Sequence, residues 1–333
     1  MTGKAHRYFI ITASVIPPIG VAVAVVMLWN DLVGWRDLAI FAGMYAICAI
    51  GVSTGFHRLL THRAFETYKP IRLALATAGT MGAEGPPIVW VSHHRRHHTL
   101  ADQEGDPHSP HLHGEDGIRG AMKGLWHSHW GWLFREELTS DPMVYAPDLV
   151  REKGMRWISV HFLQIVAAGV ILPGLIGFAV TGGEPLAFFT GVLWGGLVRI
   201  FLLHHFTYAV NSIGHFAGAR RFATKDHSRN VAWLALPSFG EAWHNNHHAF
   251  PTSYRHGMRW WEVDLSALFI RTLEKLGLAW NVVRISPERE RKKLPGGPLA
   301  GAPPEPPAAA RNGTGSKSQA RERELVGTAG DRN

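Results

Sequence analysis

Residues 91–100 read VSHHRRHHTL, four histidines within six positions around an Arg-Arg pair. Side chains three and four apart share a helix face, so His94, His97 and His98 form one cluster while Arg95 and Arg96 turn elsewhere. The helix beneath them is predicted to open at Pro86-Pro87, since a proline in the first turn lacks only an N–H that would stay unpaired, and to continue over 88–100. His93 extends the cluster and offers an alternative triad with His97. The polar, proline-broken run 101–118 that follows is expected to be a loop with His108, His111 and His113 solvated.

The same i, i+3, i+4 spacing recurs at His244, His247 and His248 within SFGEAWHNNHHAFP, where Ser238 and Glu241 are placed to form a capping box and Pro251 to close the helix. Asn211 and His215 stand four apart in NSIGH. His57 and His62 are five apart, about 140° around an ideal α-helix, so they either flank a helix end or point to different centres. Together the two triads with His57, His62 and His215 supply nine imidazoles, more than one ion accepts. Imidazole suits Zn, Cu, Fe and Ni, no Cys cluster accompanies it, and two ions sharing the ligands is the economical reading.

Around these clusters the chain alternates between apolar and polar stretches. Although hydrophobic residues are only 46% of the 333, apolar runs at 8–29, 38–56, 157–180 and 186–203 each approach the length of a bilayer core. We therefore expect four membrane-spanning helices joined to an aqueous portion at 57–156 and 204–285. Most of the basic residues behind the net charge of +8 fall at Lys4, Arg7 and in the long polar stretches, which places both termini and the clusters on the cytoplasmic side, in a cell inner membrane. The glycine- and proline-broken segment 71–91 is expected to be re-entrant or interfacial, and 119–156 to lie at the membrane surface with Trp126, Trp130 and Trp132. His127, His129, His204 and His205 are read as hydrogen-bonding or interfacial, Arg199 as snorkelling or ion-paired, and the single cysteine, Cys48, as a packing residue. From 286 to 333 the composition is Pro, Gly, Ala and charge, a tail expected to be disordered beside the 1–285 unit. No nucleic-acid motif is present, and none is expected as partner.

The ordered set HRLLTH, HRRHH, NSIGH and HNNHH, over roughly residues 36–280, resembles the integral-membrane fatty acyl desaturases, closest to the Δ9 acyl-CoA type. The resemblance implies an all-α membrane fold of four transmembrane helices with a cytosolic helical cap holding a histidine-ligated dimetal site. It further implies two Fe ions (Fe2+/Fe3+) bound by His57, His62, His94, His97, His98, His215, His244, His247 and His248, with Asn211 completing one sphere through water. The implied reaction consumes O2 as co-substrate and two electrons to place a cis double bond in a lipid acyl chain, with acyl-CoA favoured over acyl carrier protein and glycerolipid. No haem domain is fused, so a separate donor such as a ferredoxin or a flavin reductase is expected. Residues two to three turns before His57 lie roughly 11–18 Å deeper on the same helix, and Tyr45, Ala46 and Ala49 are expected to shape a substrate tunnel there. The rival readings are a membrane hydroxylase or alkane monooxygenase, which uses similar ligands, and a zinc-binding membrane protein without redox chemistry.

Overall fold

The computed structural model describes residues 3–29, 33–112, 117–135 and 138–298. It is helical apart from one antiparallel pair of two-residue strands, Glu66–Thr67 and Ala279–Trp280. Among the described residues, four helices have the length and apolarity to cross a membrane. The first, α1 (Gly3–Trp29), keeps Pro17 and Pro18 inside it and leaves Val15, Ile19, Val23 and Val26 exposed, as a lipid-facing helix does. The second, α2 (Trp35–Ile50), runs on without a break as a π-helix over Gly51–Thr61.

The expected boundaries shift at two spans. The helix predicted to begin at 157 begins at Phe162 (α6, Phe162–Val180), because Lys153–Val160 is a separate short helix ending at His161. The span predicted to stop at 203 continues through Pro185–Gly191, a π-helical stretch Val192–Val198 and Arg199–Phe216, here called α7. Between the second and third spans lie α3 (Lys69–Thr80), α4 (Pro87–Leu100) and α5 (Gly117–His129). After α7 come α8 (His244–Ala249), α9 (Leu265–Lys275) and α10 (Pro287–Lys293).

Buried polar groups tie the spans together. Asp37 near the start of α2 accepts from Thr190 on α7 at 2.6 Å. Arg199 neither snorkels nor meets a carboxylate: it is fully buried and donates to the carbonyls of Gly195, Met81 and Gly169, with Cys48 Sγ at 2.9 Å. One guanidinium, with five donors, thereby joins three helices at carbonyls that α-helical pairing would otherwise leave to compete for hydrogen. Cys48 is thus a polar contact as well as a packing residue.

The tail expected from 286 is ordered over its first part. Ser286 caps α10, Arg221 pairs with Glu290 at 3.1 Å, and Lys293 is buried with its carbonyl accepting from Ala223. Acidic residues in the first turn of α10 and basic ones in the last complement the helix dipole, which composition alone did not reveal. The rest of that tail, from residue 299, lies outside the described residues, as does His113.

The π-helix rests on α3 through a glycine contact. A Cβ on Gly51 would lie 2.1 Å from the Gly79 nitrogen, closer than any real contact, whereas one on Gly43 of the same helix would meet nothing within 4 Å. We predict that Gly51→Ala destabilises the folded protein by about 1–3 kcal/mol or forces the helices apart, while Gly43→Ala is near neutral. Thermal unfolding of both variants in lipid nanodiscs checks this.

Candidate dimetal site

The π-helix resolves the awkward spacing of His57 and His62. Its hydrogen bonds run five residues back, as in His62 N–H to His57 O at 3.1 Å, so residues five apart come to one face rather than about 140° away. Both rings therefore point to one centre, with centroids 4.8 Å apart; of the two alternatives the spacing had left, His62 caps the end of the helix that carries His57, and separate centres are ruled out.

On α4 the predicted face forms. His94, His97 and His98 turn inward, while Arg95 binds Asp148 at 2.7 Å and Arg96 binds the Leu138 carbonyl at 3.0 Å. His93 takes no place in either cluster and accepts or donates at Ser140 instead. The third set sits on α8, a helix of six residues that is too short to hold itself. Asn230 and the two asparagines of HNNHH hold it from outside. The Asn230 side-chain oxygen accepts from the backbone of Asn245 and Asn246, Asn245 accepts from the backbone of Arg221 and Phe222, and Asn246 donates to His256 O and Glu262.

The nine imidazoles converge as five and four. His57, His62, His94, His98 and His247 form one group, and His97, His215, His244 and His248 the other, with the coordinating atoms of each group within 4.8 Å of one another. In the first, Nε2 of His247 lies 3.0 Å from that of His57 and 2.9 Å from that of His98. In the second, the Nε2 atoms of His215, His244 and His248 are spaced at 3.0 and 3.1 Å, and His97 to His248 at 3.4 Å.

Behind the rings stand carboxylates. His97 Nδ1 donates to Asp106 at 3.0 Å, His215 Nδ1 to Asp102 at 2.8 Å and His248 Nδ1 to Asp226 at 2.8 Å, and the Glu241 carboxylate lies directly against His57 Nδ1. A ring whose Nδ1 carries the proton has only a lone pair at Nε2, and lone pairs facing one another at about 3 Å repel. A cation between them reverses that: nitrogens about 2.1 Å from one ion are roughly 3.0–3.4 Å apart in octahedral to tetrahedral arrangements. The observed spacings match, so the donor set fits two transition-metal ions.

Electrostatics favour the same state. Burial, joined by the neighbouring rings, pushes His62, His94, His98, His244 and His247 well below the usual imidazole range, keeping them neutral as ligands must be. Burial would raise the Asp226 carboxyl, but His248 and the Ser228 hydroxyl outweigh it and hold it below the usual range. Asp102 is held down in the same way by His215 and Ser109.

Several of these groups were not visible from the spacing of histidines. Asp102 and Asp106 fall in the 101–118 stretch read as polar loop, and Asp226 lies in the aqueous portion between the NSIGH and HNNHH motifs; the signal that could have found them is that each ligand ring needs a partner for its second nitrogen. Glu241 does not cap α8: its carboxylate receives His57, Ser53 and Arg58, and Arg58, fully buried, also spans to Asp264 at 3.1 Å. His108, expected in solvent, is buried with its ring 4.3 Å from that of His97. His129 and His204 make the expected hydrogen bonds, to Ser212 with His205 and to Gly82 O.

A cavity leads from α1 to this site. Tyr45 and Ala49 line it and so does Asn211, whereas Ala46 is packed into the neighbouring core. The Tyr45 hydroxyl donates to Pro237 O at 2.6 Å, fixing its ring in the cavity wall.

Four apolar spans, nine imidazoles in two groups, seven of them buried and two half-buried, and an apolar cavity ending on them define a membrane oxidoreductase site of the dimetal type. The fatty acid desaturase family model matches residues 32–282, and the chain belongs to that family. It is 42% identical, over 84% of its length and 87% of the relative's, to a hex-5-enoyl-[acyl-carrier protein] acetylenase of Moorena producens. It is 38% identical to the sn-1 stearoyl-lipid 9-desaturase of Anabaena variabilis, over 74% of this chain and 84% of that one. To Delta-9 acyl-lipid desaturase 1 of Arabidopsis thaliana it is 36% identical, over 78% and 79%. None of these three is named for an acyl-CoA substrate, so the acyl-CoA type expected from the motifs gains no support from them.

The carboxylates behind the rings supply a direct test. We predict that Asp226→Asn lowers metal affinity about 10–100-fold, as loss of a ligand's hydrogen-bond partner does. Competition with a chromogenic chelator measures it, and an unchanged affinity would remove Asp226 from the site.

Proposed function

We propose that this protein introduces a cis double bond, at Δ9, into a saturated acyl chain carried on a glycerolipid. The reading rests on one observation above others: an apolar cavity ends on two adjoining groups of five and four imidazoles, with His57, His94 and His244 in its wall. The lipid carrier is favoured because α1, one of the four spans, forms part of the cavity wall through Phe9, Ile10 and Pro17, so a chain can come from the bilayer. Relatives named for lipid-linked substrates support the same choice, and acyl carrier protein is the alternative.

Bound iron (Fe2+/Fe3+) with O2 would supply the oxidising power that side chains lack. The overall change balances as one saturated chain, O2, two electrons and two protons giving one alkene and two waters. The nine histidines would hold the ions, and Asn211, one turn before His215 and in the cavity wall, would complete the four-histidine set through water. Asp102, Asp106, Asp226 and Glu241 keep four rings oriented with Nδ1 protonated. Ala49 leaves room for the chain, and Tyr45 bounds its end.

The electrons come from a separate acidic carrier of the ferredoxin class. An exposed loop bearing Arg220, Lys225 and His227 lies against the four-histidine group: the His227 N–H donates to the Asp102 oxygen that also accepts from His215, both at 2.8 Å. Two hydrogen bonds thus separate the surface from a ligand. The double variant Arg220→Glu/Lys225→Glu is expected to slow ferredoxin-supported turnover about tenfold at low ionic strength, with the deficit fading in high salt. Reduction by dithionite should be untouched.

Expression in a host without its own desaturase, beside a His247→Ala control, tests the reaction. A new Δ9 monoene by mass spectrometry, absent in the control, is expected; a hydroxylated chain instead makes the protein a monooxygenase. Ala49→Phe should shorten the accepted chain, and an unchanged chain-length profile would take Ala49 out of the tunnel.

A further inference from the structure

The cavity wall contains a carboxyl group that the metal site does not use. Glu84 lies in the turn between α3 and α4, next to Ala83 at φ 62°, a left-handed conformation disfavoured for a residue with a Cβ and held here by the surrounding fold. It is half-buried and lines the cavity. One oxygen accepts from the Thr207 hydroxyl at 2.7 Å and the other from the Trp90 indole N–H at 3.1 Å. Thr207 is one turn before Asn211 on α7. Trp90 is one turn before His94 on α4 and stacks on its ring at 5.1 Å. The carboxyl therefore bridges two of the helices that carry ligands, α4 and α7, in a wall of the cavity that His94 also lines.

We propose that Glu84 is a specificity-determining residue that admits the alkyl chain as the neutral acid and weakens chain binding when ionised. The inference rests on the desaturase reading for its substrate, an alkyl chain. An ionised carboxylate in an apolar wall must keep water about it, and a methylene chain cannot replace that water. A protonated carboxyl already holding two donors can be covered by the chain.

The surroundings favour the neutral acid. Burial pushes the Glu84 carboxyl up to about 7, against the Thr207 and Trp90 hydrogen bonds and with help from Glu241. The titratable groups about it are Tyr45 and Cys48 on α2, Tyr208 on α7 and Glu241, with His204 and Arg199 of α7 bonded to the Gly82 and Met81 carbonyls of the same turn. Of these Glu241 and Arg199 carry charge, and Glu241, the one that acts on the Glu84 carboxyl, opposes a second negative charge. The sign follows: the neutral form is complete below the raised value and is lost as pH climbs through it.

The test is a pH series on the full-length protein loaded with iron, with stearoyl phosphatidylcholine as substrate, in wild type, Glu84→Gln and Thr207→Val. In wild type KM is expected to rise about fivefold between pH 7 and pH 8, and steeply beyond, with kcat changing in parallel with that of Glu84→Gln. Glu84→Gln should have a KM independent of pH over that range. Thr207→Val removes a donor that favours the charged form, so its break should move to higher pH; a merely structural role for Glu84 would instead raise KM at every pH. Infrared difference spectra of the same samples give a readout without turnover: a protonated-carboxyl band lost near pH 7 in wild type and missing in Glu84→Gln. Equal pH slopes of KM in wild type and Glu84→Gln, or no such band, would overturn the proposal. If the product proves to be an alcohol, the desaturase reading fails while the pH dependence of chain binding still stands or falls on these slopes.

Discussion

Repulsion among imidazole lone pairs is the constraint around which this molecule is organised. Nine rings are brought into a site with little water, and four of them have Nδ1 committed to a carboxylate, so their Nε2 atoms can only accept. Left to themselves they would part or take up protons. Burial opposes the second course for most of them, and the fold opposes the first, because the rings sit on separate helices fixed by other contacts. Two divalent ions would satisfy all of it at once. Their four positive charges would be matched by Asp102, Asp106, Asp226 and Glu241, while Arg58 is matched by Asp264, so the loaded site would be close to neutral.

That demand explains two local departures from regular helix. A second span continued as α-helix would carry His57 and His62 to different sides; the π-helix over Gly51–Thr61 brings them together at the cost of weaker backbone geometry, which close packing on Gly79 of α3 offsets. The short α8 shows the converse. Six residues cannot hold a helix, yet three ligands and two asparagines occupy five of them, so its shape is imposed by Asn230, the 221–222 backbone and Glu262 rather than by propensity.

These same features mark where the sequence was legible. The spans, the inward face of α4 and the membership of the nine histidines in one region follow from periodicity, because a helical face is a local property. The division into five and four is not local, and the π turn that decides it has no compositional mark in GVSTGFHRLLT. Glu241 illustrates the limit well: Ser238 and Glu241 have capping-box spacing, but a buried arginine on another helix competes for the carboxylate and wins. Arg199 misled for a related reason. Its position near a span end suggested an outward reach, whereas a continuous helix to Phe216 leaves it deep in the bundle with carbonyls as its partners. In each case a long-range polar contact overrode a short-range rule.

Glu84 belongs to the same class of residue but stands in a different relation to its surroundings. The carboxylates behind the histidines are held ionised by rings that need them, and their charge is used up locally. Glu84 has an indole N–H and a hydroxyl, donors of modest strength, and no cation among its hydrogen-bond partners. Such a group sits near the balance between its two forms, and the cavity beside it decides which form is tolerated. A chain filling the cavity removes water and stabilises the acid; an empty, wet cavity stabilises the anion. Substrate and proton are then bound together, each raising the affinity for the other by the same factor. Glu84 joins Trp90 of α4 to Thr207 of α7, two of the helices that carry the histidines, so a change in its protonation is felt in both.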